Sequence, residues 1–460
     1  MTVSHVVEAA SALHPMPTVI VANFAESHAD FLLRAGDPRV GWRHVRGEQQ
    51  NGDRTILWHG DAKLVVTSFP VPHAADTYRR FGYQNTRQIN PTQPTDSLSL
   101  DILREQPVLD ALIAWAGPER RIQLIPYATT WALLQLADIL RSRHGIDVLL
   151  PESPDAEALW VRDYVDTKSG FHQVAAWALP TAQRLLPTAV VARNRSQAAV
   201  MIRWALMSGT PVIAKPDTGE NGIGAMVFRV GESSALDAIA GALERNPYFG
   251  DEPIVVERFI HSAPLDSPSL EIFVPRSGTP AVTYLCRQLF QGYGDFCGVL
   301  VDKSQLESRW GQEMIEAGLL LASYLQSMGY AGHFDLDGLI DQDGQIHLLE
   351  LNARRTGGTH VHDFARFHFG IDYVNSISLL SNDAMAAGTL RTPTALFAAL
   401  DDLLYRPGGA RRGVIITVTS SLPDGEFGCI VIGQDEAELL ALLNQVRERV
   451  GVESTAPVDK

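Results

Sequence analysis

No stretch of 18 residues in this chain is free of charged or turn-forming residues. A membrane-spanning helix needs about 20 predominantly apolar residues, so a transmembrane protein is excluded as the expectation. Cysteine is scarce: Cys286, Cys297 and Cys429 are scattered, with neither CxxC spacing nor a clustered histidine framework. That argues against a disulfide scaffold or a structural zinc site and leaves buried thiols as the plain reading. Runs of five or more basic residues are absent, and the net charge is −15 with a pI near 5.4. Nucleic-acid binding depends on Lys and Arg neutralising phosphates, so that class of partner is disfavoured. The N-terminal MTVSHVVEAASALHPMP lacks a basic region followed by a long apolar one, and the expected location is cytoplasmic. Also missing are a GxGxxG following a strand, a GxxxxGK followed by Ser or Thr, internal repeats, and any Ser-His-Asp or Cys-His signature.

What is present is a long chain, 460 residues with 45% apolar and 20% charged, which at roughly 150 residues per domain suggests about three domains. Apolar runs alternate with helical patterns from TVIVANF through AKLVVTSF, RRIQLIPY and TWALLQLADILRSRHG to IDVLLP, which predicts an α/β layer domain over 1–153. Within it, the polar stretch from Tyr78 to Asp96 predicts a surface loop. PESPDAEALW marks a boundary. Beyond it VRDYVDTKSGFHQVAAWA reads as a helix, followed by the strand PVIAKP, a glycine loop, further strands and the helix QEMIEAGLLLASYLQSMG. After residue 390, two strands and a helix predict a small tail domain over 391–460.

Two stretches carry chemistry. In VIAKPDTGENGIGAMVF, Lys215 closes a strand, and Gly219, Gly222 and Gly224 lie in the loop before the next one. Glycines let backbone N–H groups approach an anion closely, and the lysine adds a point charge for phosphate. An ordinary glycine-rich hairpin fits the same pattern. HFDLDGLIDQDGQIHLLELNARRTGGTH predicts two strands joined by a turn at Asp341–Gly344, with Asp337 and Glu350 paired across it and Asn352 on the same face as Glu350. Three hard oxygen donors so placed suit Mg²⁺, which takes one or two carboxylates plus substrate phosphates.

Together the strand ending Lys-Pro, the glycine loop, VVERFI and DLDGLIDQDGQIHLLELNAR resemble the ATP-grasp superfamily. The resemblance covers about residues 155 to 390. It implies an ATP-grasp core over 154–390 with two subdomains holding ATP, an α/β pre-ATP-grasp domain before it and a small C-terminal α+β domain after it. It also implies that Lys168 and Lys215 hold phosphates, that Gly222 and Gly224 belong to a flexible lid, and that Glu257 and Phe259 lie at the adenine hinge. Glu271 would sit near the ribose. Asp337, Glu350 and Asn352 would hold Mg²⁺, with Mn²⁺ as a substitute. Arg354 would face the phosphoryl group or acyl intermediate, and Arg287 is a further candidate near the chemistry. The family's D-K motif is interrupted here, because Thr167 stands between Asp166 and Lys168.

The leading domain, ELNARRTGGTH and the tail are most similar to the pheganomycin-type peptide ligases. That implies amide-bond formation between a small-molecule carboxylate and an amino acid or peptide, in peptide natural-product biosynthesis. A thiol or alcohol acceptor, or a non-catalytic ATP-binding module, are the rival readings. Dimers are common among comparable enzymes, so a homodimer is compatible with the resemblance. Arg355 either grips a substrate carboxylate bidentately or pairs with an acidic residue at the surface. His360 and His362 have HxH spacing, but zinc needs a third protein ligand, and hydrogen-bonded histidines at the start of a helix are the simpler reading.

Overall fold

The computed structural model describes residues 16–72, 74–232, 234–262, 267–291 and 295–452. Its first sheet has five parallel strands in the order β3-β2-β1-β4-β5: β1 (Thr18–Val21), β2 (Lys63–Val66), β3 (Arg87–Ile89), β4 (Arg121–Pro126) and β5 (Asp147–Leu149). All four residues of β1 are buried, as expected of a parallel strand covered on both faces. The stretch from Tyr78 to Asp96 is not the surface loop expected. Tyr78 and Tyr83 are buried and Arg87–Ile89 forms the edge strand β3, because the two aromatic rings anchor the segment to the sheet.

A four-stranded antiparallel sheet follows, in the order β6-β9-β7-β8, from β6 (Ala189–Ala192), β7 (Val212–Pro216), β8 (Met226–Phe228) and β9 (Ile254–Arg258). The third sheet has eight strands in the order β14-β13-β10-β11-β12-β15-β17-β16. They are β10 (Pro268–Val274), β11 (Ala281–Gln291), β12 (Asp295–Val301), β13 (Gly332–Ile340), β14 (Ile346–Asn352), β15 (Ser378–Ala386), β16 (Gly413–Val418) and β17 (Glu426–Gly433). The two tail strands thus extend the large sheet through β15 instead of forming a sheet of their own.

Strand alternation divides the β10-β13-β14 part of this sheet into two unlike faces. Leu270, Ile272, Leu336 and Leu351 are buried in one core with Leu321 and Leu325 of the helix Arg309–Ser327. Each such side chain contributes about 1.5–3 kcal/mol by leaving water. The intervening residues Ser269, Glu271, Asp335, Asp337, Glu350 and Asn352 face the other way. The helix expected from VRDYVDTKSGFHQVAAWA is broken into Leu159–Val165 and Lys168–Ala178. Thr167 adopts an extended conformation there and its hydroxyl accepts the Gly170 N–H, an N-cap that starts the second helix at Lys168. Among the described residues no helix is long and apolar enough to cross a membrane.

Candidate active site

The register of the β13-β14 hairpin places Asp337 opposite Glu350 and Asp335 opposite Asn352, while β10 sets Ser269 against Asp337 on the other side. A row of oxygen donors results. The Asn352 amide donates to Asp337 at 2.9 Å, Gln288 of β11 donates to the other Asp337 oxygen at 2.8 Å, and Ser269 donates to Asp335 at 2.5 Å. Burial, then the charges of Asp335 and Glu350, push the Asp337 carboxyl well above the usual carboxylate range. Burial likewise pushes Asp335 up to about 6. Close carboxyls in a low-dielectric site hold protons unless a cation replaces them. Among the described residues no group of three or more His, Cys, Asp or Glu side chains is placed to hold a metal ion. An open set of two carboxylates and an amide fits Mg²⁺, which keeps positions for water and phosphate oxygens.

The two lysines arrive from different elements. Lys168, at the start of its helix, lies 3.3 Å from Glu350, and Lys215, at the end of β7, lies 2.9 Å from Glu257 on β9. Glu257 also bonds His172 at 2.9 Å. Burial opposes the charge on Lys215, but Glu257 and Glu350 more than offset it and its pKa lies above the ordinary lysine value. Phe259, just past β9, is half-buried beside His261. The glycine loop runs over this site: a Cβ on Gly219 would come 3.2 Å from Lys168 Nζ. Asp217 fixes the loop's start by accepting the Ser169 N–H at 2.7 Å. Gly222 and Gly224 have φ of 71° and 82°, which side-chain-bearing residues rarely adopt, and a Cβ on Gly224 would come 2.6 Å from Tyr248 Cβ. Arg354 is buried at the edge of this space, ion-paired at 2.6 Å with Glu220 of the loop.

Three expected residues lie elsewhere. Arg287 is inside β11 rather than at a strand end, and alternation turns it away from the Gln288 side toward Glu436 of the C-terminal helix Glu436–Arg449. Glu271 is fully buried, bonded to His333 at 3.0 Å, Thr283 at 2.9 Å and Thr359, which leaves it no surface for a ribose. Arg355 is paired with acidic residues, but in the interior: Glu152 takes its guanidinium bidentately at 2.9 Å and 2.9 Å, Asp363 lies at 3.2 Å and His59 at 3.0 Å. His360 and His362 stand in the first turn of the helix Thr359–Phe369. His362 meets the Tyr373 hydroxyl at 3.2 Å, and His360 lies 3.5 Å from Asp383. Cys286, Cys297 and Cys429 are buried free thiols. Sequence reasoning passed over Asp335, although the alternation Asp335-Leu336-Asp337 was its signal. Ser269, Gln288, His172 and Glu220 had none, since only pairing between distant segments brings them here.

Comparison with solved structures gives the class of this architecture. The chain has the ATP-grasp fold, in a mixed α/β multidomain arrangement that such enzymes match over nearly its whole length. The biotin carboxylase of Campylobacter jejuni, solved with β-γ-ATP, aligns with a TM-score of 0.55 at 15% identity, covering 94% of this chain and 91% of that one. The biotin carboxylase domain dimer of the Hydrogenobacter thermophilus 2-oxoglutarate carboxylase, solved with MgADP and bicarbonate, aligns with a TM-score of 0.54 at 14% identity, covering 95% and 90%. By sequence, the chain is similar to the L-propargylglycine–L-glutamate ligase of Streptantibioticus cattleyicolor, 25% identical over 164 residues, which are 36% of this chain and 32% of that protein. The match thus spans about a third of that relative's length. No family model matches the chain.

Proposed function

We propose that this protein is an ATP-dependent carboxylate–amine ligase that releases ADP and phosphate and joins an amino-acid-like donor to an amino acid or peptide acceptor. The observation that carries the reading is the convergence of Asp337, Glu350 and Asn352 with Lys168, on one side of the sheet and beneath a glycine loop that Arg354 borders. The ATP-grasp fold and the similarity to a ligase of two amino acids support it.

In this reading Lys168 and Lys215 hold the phosphate oxygens of ATP, and the backbone N–H groups around Gly222 and Gly224 close over them. Asp337, Glu350 and Asn352 hold Mg²⁺, which when bound offsets the charge on the transferring phosphoryl group. Arg354 faces the γ-phosphoryl group and the donor carboxylate that becomes the acyl intermediate; a carboxylate oxygen attacks the γ-phosphorus, the bond to the β-phosphate oxygen breaks and ADP leaves. The acceptor amine then attacks the acyl carbon of the acylphosphate, the acyl C–O bond breaks, and phosphate departs. Positioning and electrostatics do this work, so no nucleophilic side chain is required.

The test is incubation of the purified protein with Mg-ATP and pooled amino acids and short peptides, recording ADP, AMP and new masses together. A product mass equal to donor plus acceptor minus water, with ADP formed, is the expected result. AMP in place of ADP, or nucleotide binding without turnover across a broad donor set, would overturn it.

A further inference from the structure

Glu220 sits at the tip of the glycine loop, yet its side chain is only 11% exposed. Its carboxylate lies 2.6 Å from Arg354 and 3.2 Å from His28 of the N-terminal domain. His28 in turn meets the Ser27 hydroxyl at 2.8 Å and lies 3.7 Å from Asp166. The Arg354 side chain is 4% exposed by the same measure, and its Nε has no hydrogen-bond partner. Three segments far apart in sequence therefore meet at one carboxylate, that of Glu220. The loop that brings Glu220 there is conformationally unusual: Asn221, Gly222 and Gly224 have φ of 50°, 71° and 82°. Asn221 at positive φ carries a modest strain, which the contacts at the loop tip hold in place.

A guanidinium offers a carboxylate and a phosphoryl group the same N–H fork, so the two compete for it. While Glu220 holds the Arg354 Nη2 donor, the oxygen of a reacting substrate cannot take that donor. Breaking that contact does not strand either partner. Asp166 remains near Arg354, and His28 remains beside Glu220.

We propose that Glu220 is a built-in anion that latches the glycine loop onto Arg354 and is exchanged for a carboxylate or phosphoryl oxygen of the reacting substrates, passing to His28 as it leaves. The latch is a loop-positioning device, and its link to substrates rests on the reading of Arg354 given above. Glu220 sets the cost of filling the site, since a ligand that needs Arg354 must first displace it.

The experiment uses the full-length chain and E220Q, with E220D, which keeps the charge but is one methylene shorter, as a graded control. Amide hydrogen exchange over residues 216–226 is measured without nucleotide, and Mg-ATP and Mg-ADP binding are measured by calorimetry. In E220Q the loop amides are expected to exchange roughly tenfold faster while other segments stay unchanged. Affinity for Mg-ATP is expected to rise roughly threefold or more while that for Mg-ADP, which lacks the γ-phosphoryl, holds steady. E220D should fall between. Unchanged loop exchange overturns the latch. So does weaker Mg-ATP binding in E220Q, which would make Glu220 a group that contacts the ligand. A wild-type chain that binds neither nucleotide would instead defeat the ligase reading, and the exchange measurement would still decide the latch.

Discussion

Two clusters of buried charge lie within a few residues of each other in sequence, and they are built on opposite principles. Around Arg355, carboxylates and basic side chains interleave: Glu152, Asp363 and Glu271 alternate with Arg355, His59 and His333. Burial would raise Glu152, but Arg355, His59 and His333 outweigh it and hold its carboxyl well below the usual range. Around Asp337, by contrast, carboxyls face carboxyls and amides, and the pKa values of Asp335 and Asp337 are pushed up. The first cluster is satisfied by the protein alone and ties the N-terminal domain to the core. In the second, Lys168 reaches Glu350 alone, and the Asp335–Asp337 pair has no cationic partner beside it among the described residues, as befits a site that takes a cation. Adjacent arginines are sorted accordingly: Arg355 belongs to the balanced cluster, while Arg354 borders the unbalanced one.

Removing one partner from the balanced cluster should have the largest effect. E152Q leaves the Arg355 charge buried with half its compensation, and a loss of about 3–5 kcal/mol is expected in urea unfolding. An unfolding midpoint equal to wild type would dissolve the distinction between the clusters. In the unbalanced cluster, E350Q should cut turnover by about 100-fold or more while leaving the fold intact. Undiminished activity would sink the metal-site assignment.

The balanced cluster also predicts a dependence on pH. Burial and Arg355 disfavour the His333 imidazolium, but Glu271 and Glu152 prevail and its pKa is pushed up to about 9. A group raised above its unfolded value of 6.5 stabilises the fold fully below that value, and the contribution is lost as pH rises through the folded one. Thermal unfolding should therefore shift down by several degrees between pH 7 and pH 10, and H333Q should flatten that slope. Smallest in magnitude, D337N should stabilise the metal-free protein by about 1 kcal/mol by removing a repelling carboxyl. It should also abolish the gain in melting temperature on adding MgCl₂. A retained gain would place the cation elsewhere.

The local part of the site was legible because strand geometry is local. Period-two alternation puts Asp335 and Asp337 on one face of β13 and Glu350 and Asn352 on one face of β14, but the register set by the turn at Asp341–Gly344 would leave Asp337 facing Leu349, and only a bulge beside Asp337 brings Glu350 opposite it. The glycine loop after Lys215 was legible for the same reason. Alternation read two residues back along β13 would have added Asp335, and read along β11 would have shown that Arg287 faces away from Gln288. The surface loop expected from Tyr78 to Asp96 failed because composition cannot show that Tyr78 and Tyr83 find a sheet to pack on.

By itself, then, the sequence determined which side chains share a face and which loops need glycine, since these follow from dihedral angles and a repeat of two residues. Only the tertiary structure decided who partners whom. Glu152 reaches Arg355 across 203 residues, and Glu220 reaches Arg354 across 134. Nothing in either local pattern distinguishes these neighbouring arginines. What separates them is the charge that folding places opposite each one, because a buried guanidinium takes its role from the carboxylates that the packed domains bring to it.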